Sequence, residues 1–89
     1  MQLKFKKKFL KQLADLPGDI RTVIEEFVFV ELPRYRNLAD AGIIEKMRGY
    51  DGYYKARFGS YRVGMKQESD GTLAVLLVMH RKEIYRFFP

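Results

Sequence analysis

The residues best suited to chemistry lie in the stretch Tyr53–Tyr85, YYKARFGSYRVGMKQESDGTLAVLLVMHRKEIY. Lys55 and Arg57 are two positions apart, the spacing that puts side chains on one face of a strand. Arg62 and Lys66 follow a Gly59-Ser60 dipeptide, and His80, Arg81, Lys82 and Tyr85 follow a long apolar run. Clustered cations with aromatic edges suit phosphodiesters, because arginine forks match phosphate oxygens and lysine adds a point charge. Residues 46–66 hold six basic residues against Asp51 alone, whereas residues 19–45 hold six acids and three bases. Such asymmetry suits a polyanion or an acidic protein partner; the plainer alternative is ordinary solvated charge.

Size and composition narrow the options. Eighty-nine residues make one domain, 1–89, with a small core. There is no cysteine, so disulfides and thiolate chemistry are excluded. A lone His80 argues against a zinc site, and no metal or cofactor is expected. The basic first residues are not followed by an apolar signal core, and no apolar run approaches the ~20 residues of a membrane span. The expectation is a cytoplasmic protein with no membrane partner.

Elements must position these groups. Met1–Phe5 alternates and suits a short strand. Phe9, Leu10, Leu13 and Leu16 recur at helical spacing, with Lys6, Lys7, Lys8, Lys11 and Gln12 on a solvated opposite face. Pro17-Gly18 ends that helix. Asp19 suits the N-cap of a second helix, whose stripe is Ile20, Val23, Ile24, Phe27 and Val28, ending near Leu32-Pro33. Residues 33–42 read as a loop with room for one helical turn. Strands follow at 43–48, 53–58, 61–67 and 73–79, with hairpin turns at Gly59-Ser60 and Asp70-Gly71. The last strand is apolar enough to be covered on both faces. Residues 83–88 suit a final helical turn. The fold class is α+β: two N-terminal helices packed on an antiparallel sheet.

The hairpin register sharpens the site. With Gly59-Ser60 as a two-residue turn, Phe58 opposes Tyr61, Arg57 opposes Arg62 and Lys55 opposes Gly64. Ala56, Phe58, Tyr61, Val63 and Met65 then share the core face; Lys55, Arg57, Arg62 and Lys66 share the other. Two directly opposed arginines repel. A bound phosphate relieves this, or the two splay into solvent. Gly64 leaves space near Lys55 for a ligand. A two-residue turn at Asp70-Gly71 puts Met79 opposite Arg62 and His80 opposite Tyr61 on the core side. That placement is awkward for chemistry unless a bulge or the strand end releases His80. Lys46, Arg48, Tyr53, Lys66 and Lys82 are further candidate contacts for a phosphodiester ligand. Tyr50, Tyr53 and Tyr54 can stack bases, although strands favour tyrosine anyway. Phe87 and Phe88 either pack on the core or meet a protein partner.

This ordered set, with Tyr54, Tyr61-Arg62-Val63 and the HRKEIYR ending His80–Arg86, resembles the RelE/ParE superfamily of toxins from toxin–antitoxin pairs, in particular its RelE branch. The resemblance spans nearly the whole chain in element order. It implies a microbial-RNase-like fold and metal-independent mRNA cleavage in the ribosomal A site. It also implies a cognate antitoxin, mRNA and the ribosome as partners, and an oligomeric state set by the antitoxin complex. The implied catalytic set is Lys55, Arg57, Arg62, Arg81 and Tyr85, with His80 where related toxins often place histidine. Arg57 departs from RelE, which has lysine there; arginine stays protonated and supplies only charge. The Arg81-to-Tyr85 spacing is shorter than in RelE.

The implied chemistry is attack by an RNA 2′-hydroxyl on the adjacent phosphate. Lys55 or His80 serves as base, His80 or Lys82 as acid, Arg62 and Arg81 as charge for the phosphate, and Tyr85 as a stacking or holding group. Two other readings compete: a ParE-like gyrase inhibitor, which shares the fold and typically lacks the basic set, and a non-catalytic RNA- or protein-binding module.

Overall fold

The computed structural model describes residues 1–89. The strands are β1 (Leu3–Phe5), β2 (Ile44–Lys46), β3 (Tyr53–Phe58), β4 (Tyr61–Gln67) and β5 (Leu73–His80); the helices are α1 (Lys7–Ala14) and α2 (Gly18–Glu25). One sheet runs in the order β1-β5-β4-β3-β2. The β2-to-β5 portion is an antiparallel meander, but β1 pairs with β5 in parallel, Leu3 beside Leu73. The expected antiparallel meander is present, and β1 adds a parallel edge: a three-residue strand carries an alternation but no signal of its direction.

Helix α1 buries Phe9 and Leu13, while Leu10 is left 42% exposed. Gln12, expected on the solvated face, reaches the sheet instead: Val78 N–H donates to its Oε1 at 3.0 Å. Asp19 is not the cap of α2; Pro17 holds that position and Asp19 lies in the first turn. The helix continues as a π-helical segment, Glu26–Glu31, and a 3₁₀ turn, Leu32–Arg34. Ile24, Phe27 and Val28 of the predicted stripe are buried, whereas Val23 is 54% exposed.

The sheet is covered on both faces. Toward the helices, Phe9, Leu13, Ile24 and Phe27 pack against Ala56, Phe58, Val63, Met65, Val75 and Val78. On the other face Met47, Leu77, Ile84 and Phe88 form a smaller cluster joined by Tyr53 and Met79. The apolar run of β5 feeds both, as its composition predicts.

The Gly59-Ser60 turn has φ +58° at Gly59, the conformation that glycine tolerates, and the predicted β3–β4 register holds at every pair. The second hairpin differs. Gly71 N–H donates to Glu68 O at 2.9 Å and Glu68 N–H to Thr72 O at 2.8 Å, closing a three-residue turn over Ser69, Asp70 and Gly71. That shifts the register by one, so Lys66 meets Ala74. A bulge at Leu76 shifts it back, and Met79 still faces Arg62 while His80 faces Tyr61.

Asp70 Oδ1 accepts from Thr72 N–H at 2.9 Å, and this bond holds the carboxyl below the usual carboxylate range. A lowered folded pKa stabilises the fold above the unfolded value and loses that contribution as pH falls through the folded one. Wild type should therefore unfold at a higher temperature than Asp70→Asn at pH 7, and the gap should close in acid. Thermal melts across that range check it; a gap independent of pH contradicts it.

Candidate active site

Strand alternation gathers Tyr53, Lys55 and Arg57 of β3 with Arg62, Gly64 and Lys66 of β4 on the face away from the helices. The C-terminal segment crosses this face. Its 3₁₀ turn, Ile84–Arg86, buries Ile84 and brings the Tyr85 hydroxyl to Lys55, whose Nζ donates to it at 3.0 Å. The same Nζ lies 5.3 Å from the Tyr85 ring centroid. Lys55 and Tyr85 are thus joined despite the short spacing after Arg81. A hydroxyl that accepts from lysine keeps its own O–H to donate onward.

Arg62 donates through Nη1 to Gly59 O at 2.7 Å and Tyr61 O at 2.9 Å. These bonds fix the guanidinium beside the hairpin turn and leave Nε and Nη2 for an anion. Lys55 and Arg62 are diagonal neighbours, about 7–8 Å apart at the backbone, a span long side chains can close around one phosphate.

Arg57 does face Arg62 across the ladder, yet no anion is needed to separate them. Arg57 Nη2 pairs with Glu45 Oε1 at 2.7 Å, on β2. Glu45 opposes Lys55 and puts an acid on the basic face. It precedes the basic stretch 46–66 by one position and closes the acid-rich segment 19–45. The space over Gly64 is likewise filled: a Cβ built there lies 2.9 Å from ring atoms of Phe88. That corrects the expectation of an open approach beside Lys55. A glycine inside a strand is itself a sign of close approach.

His80 ends β5 on the core side, its ring 5.6 Å from that of Tyr61 at an interplanar angle of 75°. Its Nδ1 accepts from Lys82 N–H at 3.2 Å, which puts the proton of the neutral ring on Nε2. Arg81 lies just past the strand, its N–H donating to Ser60 O at 2.7 Å, next to the turn that holds Arg62. The side chains of Arg81 and Lys82 are exposed.

The remaining candidates divide. Lys66 Nζ stands 5.1 Å from the Tyr53 ring, and Tyr53 packs edge-on to Phe88 at 5.6 Å, so both belong to the Lys55 face. Lys46 pairs with Tyr54, which packs against the main core, so the register turns both residues toward the helix side. Lys46, Arg48 and Asp51 line a concavity of about 340 Å³ with Met47 and Gly49. A second hollow, about 230 Å³, lies between Leu38, Ala39, Ile44 and Tyr54. Neither concavity lies over Lys55, Arg62 and Tyr85; Lys55 and Arg62 are half-buried there and Tyr85 is exposed.

A five-stranded α+β fold carries a lysine–tyrosine pair and a backbone-anchored arginine on one face of its sheet. Comparison with known proteins makes this specific. The family model described as the ParE toxin of a type II toxin-antitoxin system, parDE, matches residues 3–85. Toxin RelE3 of Methanocaldococcus jannaschii is 39% identical over 90 residues, covering 100% of both chains. In the crystal structure of the RelB-RelE antitoxin-toxin complex from Methanococcus jannaschii, a chain 38% identical superposes with a TM-score of 0.75, covering 96% of this chain and 98% of that one. A chain of the RelBE2 toxin-antitoxin complex from Mycobacterium tuberculosis, 26% identical, gives 0.67 over 90% and 96%. The chain belongs to the RelE/ParE family of type II toxin–antitoxin toxins.

Proposed function

We propose that this toxin is an endoribonuclease that cuts mRNA, in the ribosomal A site, by metal-independent attack of a 2′-hydroxyl on the adjacent phosphate. The observation that carries the reading is the Lys55–Tyr85 hydrogen bond of 3.0 Å on the same face as the anchored Arg62. The nucleophile belongs to the substrate, so the protein has only to move protons and stabilise charge. The 2′-oxygen bonds to phosphorus, its proton passes to Lys55 as base, and the bond to the 5′-oxygen breaks. His80 or Lys82 protonates the leaving oxygen. Arg62, with Arg81 beside the same turn, stabilises the phosphorane-like state, commonly the largest catalytic term. Tyr85 holds or stacks the substrate.

The products are a 2′,3′-cyclic phosphate, or its hydrolysis product, and a 5′-hydroxyl. Direct kinase labelling of the new 5′ ends tests this. Labelling without prior phosphatase supports the mechanism; 5′-phosphate ends contradict it.

A cognate antitoxin is the expected partner, as in the complexes of the similar chains. Leu10, Val23, Phe29, Val30, Tyr50 and Phe87 are large apolar side chains left exposed, and they offer such a protein contact.

The Glu45–Arg57 pair is exposed, 59% at Arg57 and 43% at Glu45, so its removal should cost little stability. Glu45→Gln frees Arg57 for one more phosphate. The slope of log affinity for single-stranded RNA against log salt should steepen by about 0.7. An unchanged slope in a salt titration places Arg57 outside the RNA path.

A further inference from the structure

The C-terminal segment has two buried anchors, Ile84 at 1% exposure and Phe88 at 3%, with Tyr85, Arg86 and Phe87 exposed between them. Arg86 N–H donates to Glu83 O at 3.0 Å and Phe87 N–H to Ile84 O at 2.9 Å, so a tight turn links the anchors. Phe88 presses on Gly64, where any Cβ would meet its ring at 2.9 Å. Gly64 is the residue directly across the ladder from Lys55. The contact therefore joins the strand position opposite Lys55 to the segment that carries Tyr85. With Ile84 alone, the chain would be fixed on one side of Tyr85 and loose on the other.

We propose that Phe88 is a positioning residue: its ring, seated on Gly64, holds the C-terminal segment so that the Tyr85 hydroxyl stays at Lys55. Its functional weight rests on the reading of Lys55 and Tyr85 as the active pair. Gly64 is the complementary half of the device, since a larger residue there lifts the ring.

The test uses the full chain with 3-fluorotyrosine at position 85, read by fluorine NMR and by RNA cleavage in parallel. Lys55→Met supplies the reference signal for a lost Lys55–Tyr85 contact. Phe88→Ala and Gly64→Ala should each move the fluorine signal toward that reference, whereas Phe88→Leu, which still fills the space, should stay near wild type. Cleavage by Phe88→Ala should fall about 100-fold in kcat with KM unchanged, and Phe88→Leu should recover most of it. A wild-type fluorine signal in both Phe88→Ala and Gly64→Ala overturns the proposal, as does a displaced signal with undiminished cleavage. Should Phe88→Ala fail to fold, Gly64→Ala and Phe88→Leu decide it alone. If wild type cuts no RNA, the nuclease reading fails, and the fluorine comparison still decides whether Phe88 holds Tyr85.

Discussion

Lys55→Met is expected to slow mRNA cleavage by about 10²–10⁴-fold, the usual cost of losing an acid or base. Methionine keeps the unbranched apolar stem and removes the ammonium, so packing changes little. The lost interaction is the exposed hydrogen bond to Tyr85. Lys55→Arg separates two roles. Arginine restores charge but cannot take a proton. If Lys55 moves the 2′-hydroxyl proton, the arginine variant should be as slow as the methionine one. If Lys55 supplies only charge, arginine should restore most of the rate. Single-turnover kinetics with saturating toxin reads the difference directly, and a wild-type rate for Lys55→Met removes the residue from the mechanism.

The second large effect belongs to Arg62. Alanine there removes the guanidinium aimed from the Gly59–Tyr61 turn, and cleavage should fall about 10²–10³-fold, the cost typical of a lost transition-state donor. The fold should persist, because the two bonds to Gly59 O and Tyr61 O lie in a partly exposed setting, where water replaces the lost donor. Arg62→Lys should rescue poorly, since an ammonium cannot hold the two carbonyls and still offer a fork to phosphate. Rate and thermal stability measured on the same preparations check both halves. Cleavage at the wild-type rate contradicts the role; loss of folding leaves Arg62→Lys to decide it.

Much of this arrangement was legible in the sequence. The glycine-first turn at Gly59-Ser60 set the β3–β4 register, which placed Lys55, Arg57 and Arg62 on one face. Asp70-Gly71 signals a two-residue turn where the structure has three residues, yet His80 still meets Tyr61 because the bulge at Leu76 restores the register. A bulge of that kind leaves no mark in a wholly apolar run. The direction of β1 was not legible, since its parallel partner β5 lies about seventy residues away in sequence. Long-range side-chain contacts escaped for the same reason. Gln12 reaching Val78 N–H, Glu45 taking Arg57 and Phe88 covering Gly64 all depend on elements meeting in three dimensions. The last two reshape the site: one supplies its internal anion, the other closes the space that Gly64 seemed to leave open.

The nuclease reading is tested most directly by translation in a purified cell-free system with toxin added, and mRNA 5′ ends mapped by primer extension beside an Arg62→Ala control. New ends within translated message, absent from untranslated message and from the control, are the predicted result. Intact mRNA in the presence of wild-type toxin contradicts the account, and inhibition of gyrase supercoiling becomes the next activity to assay.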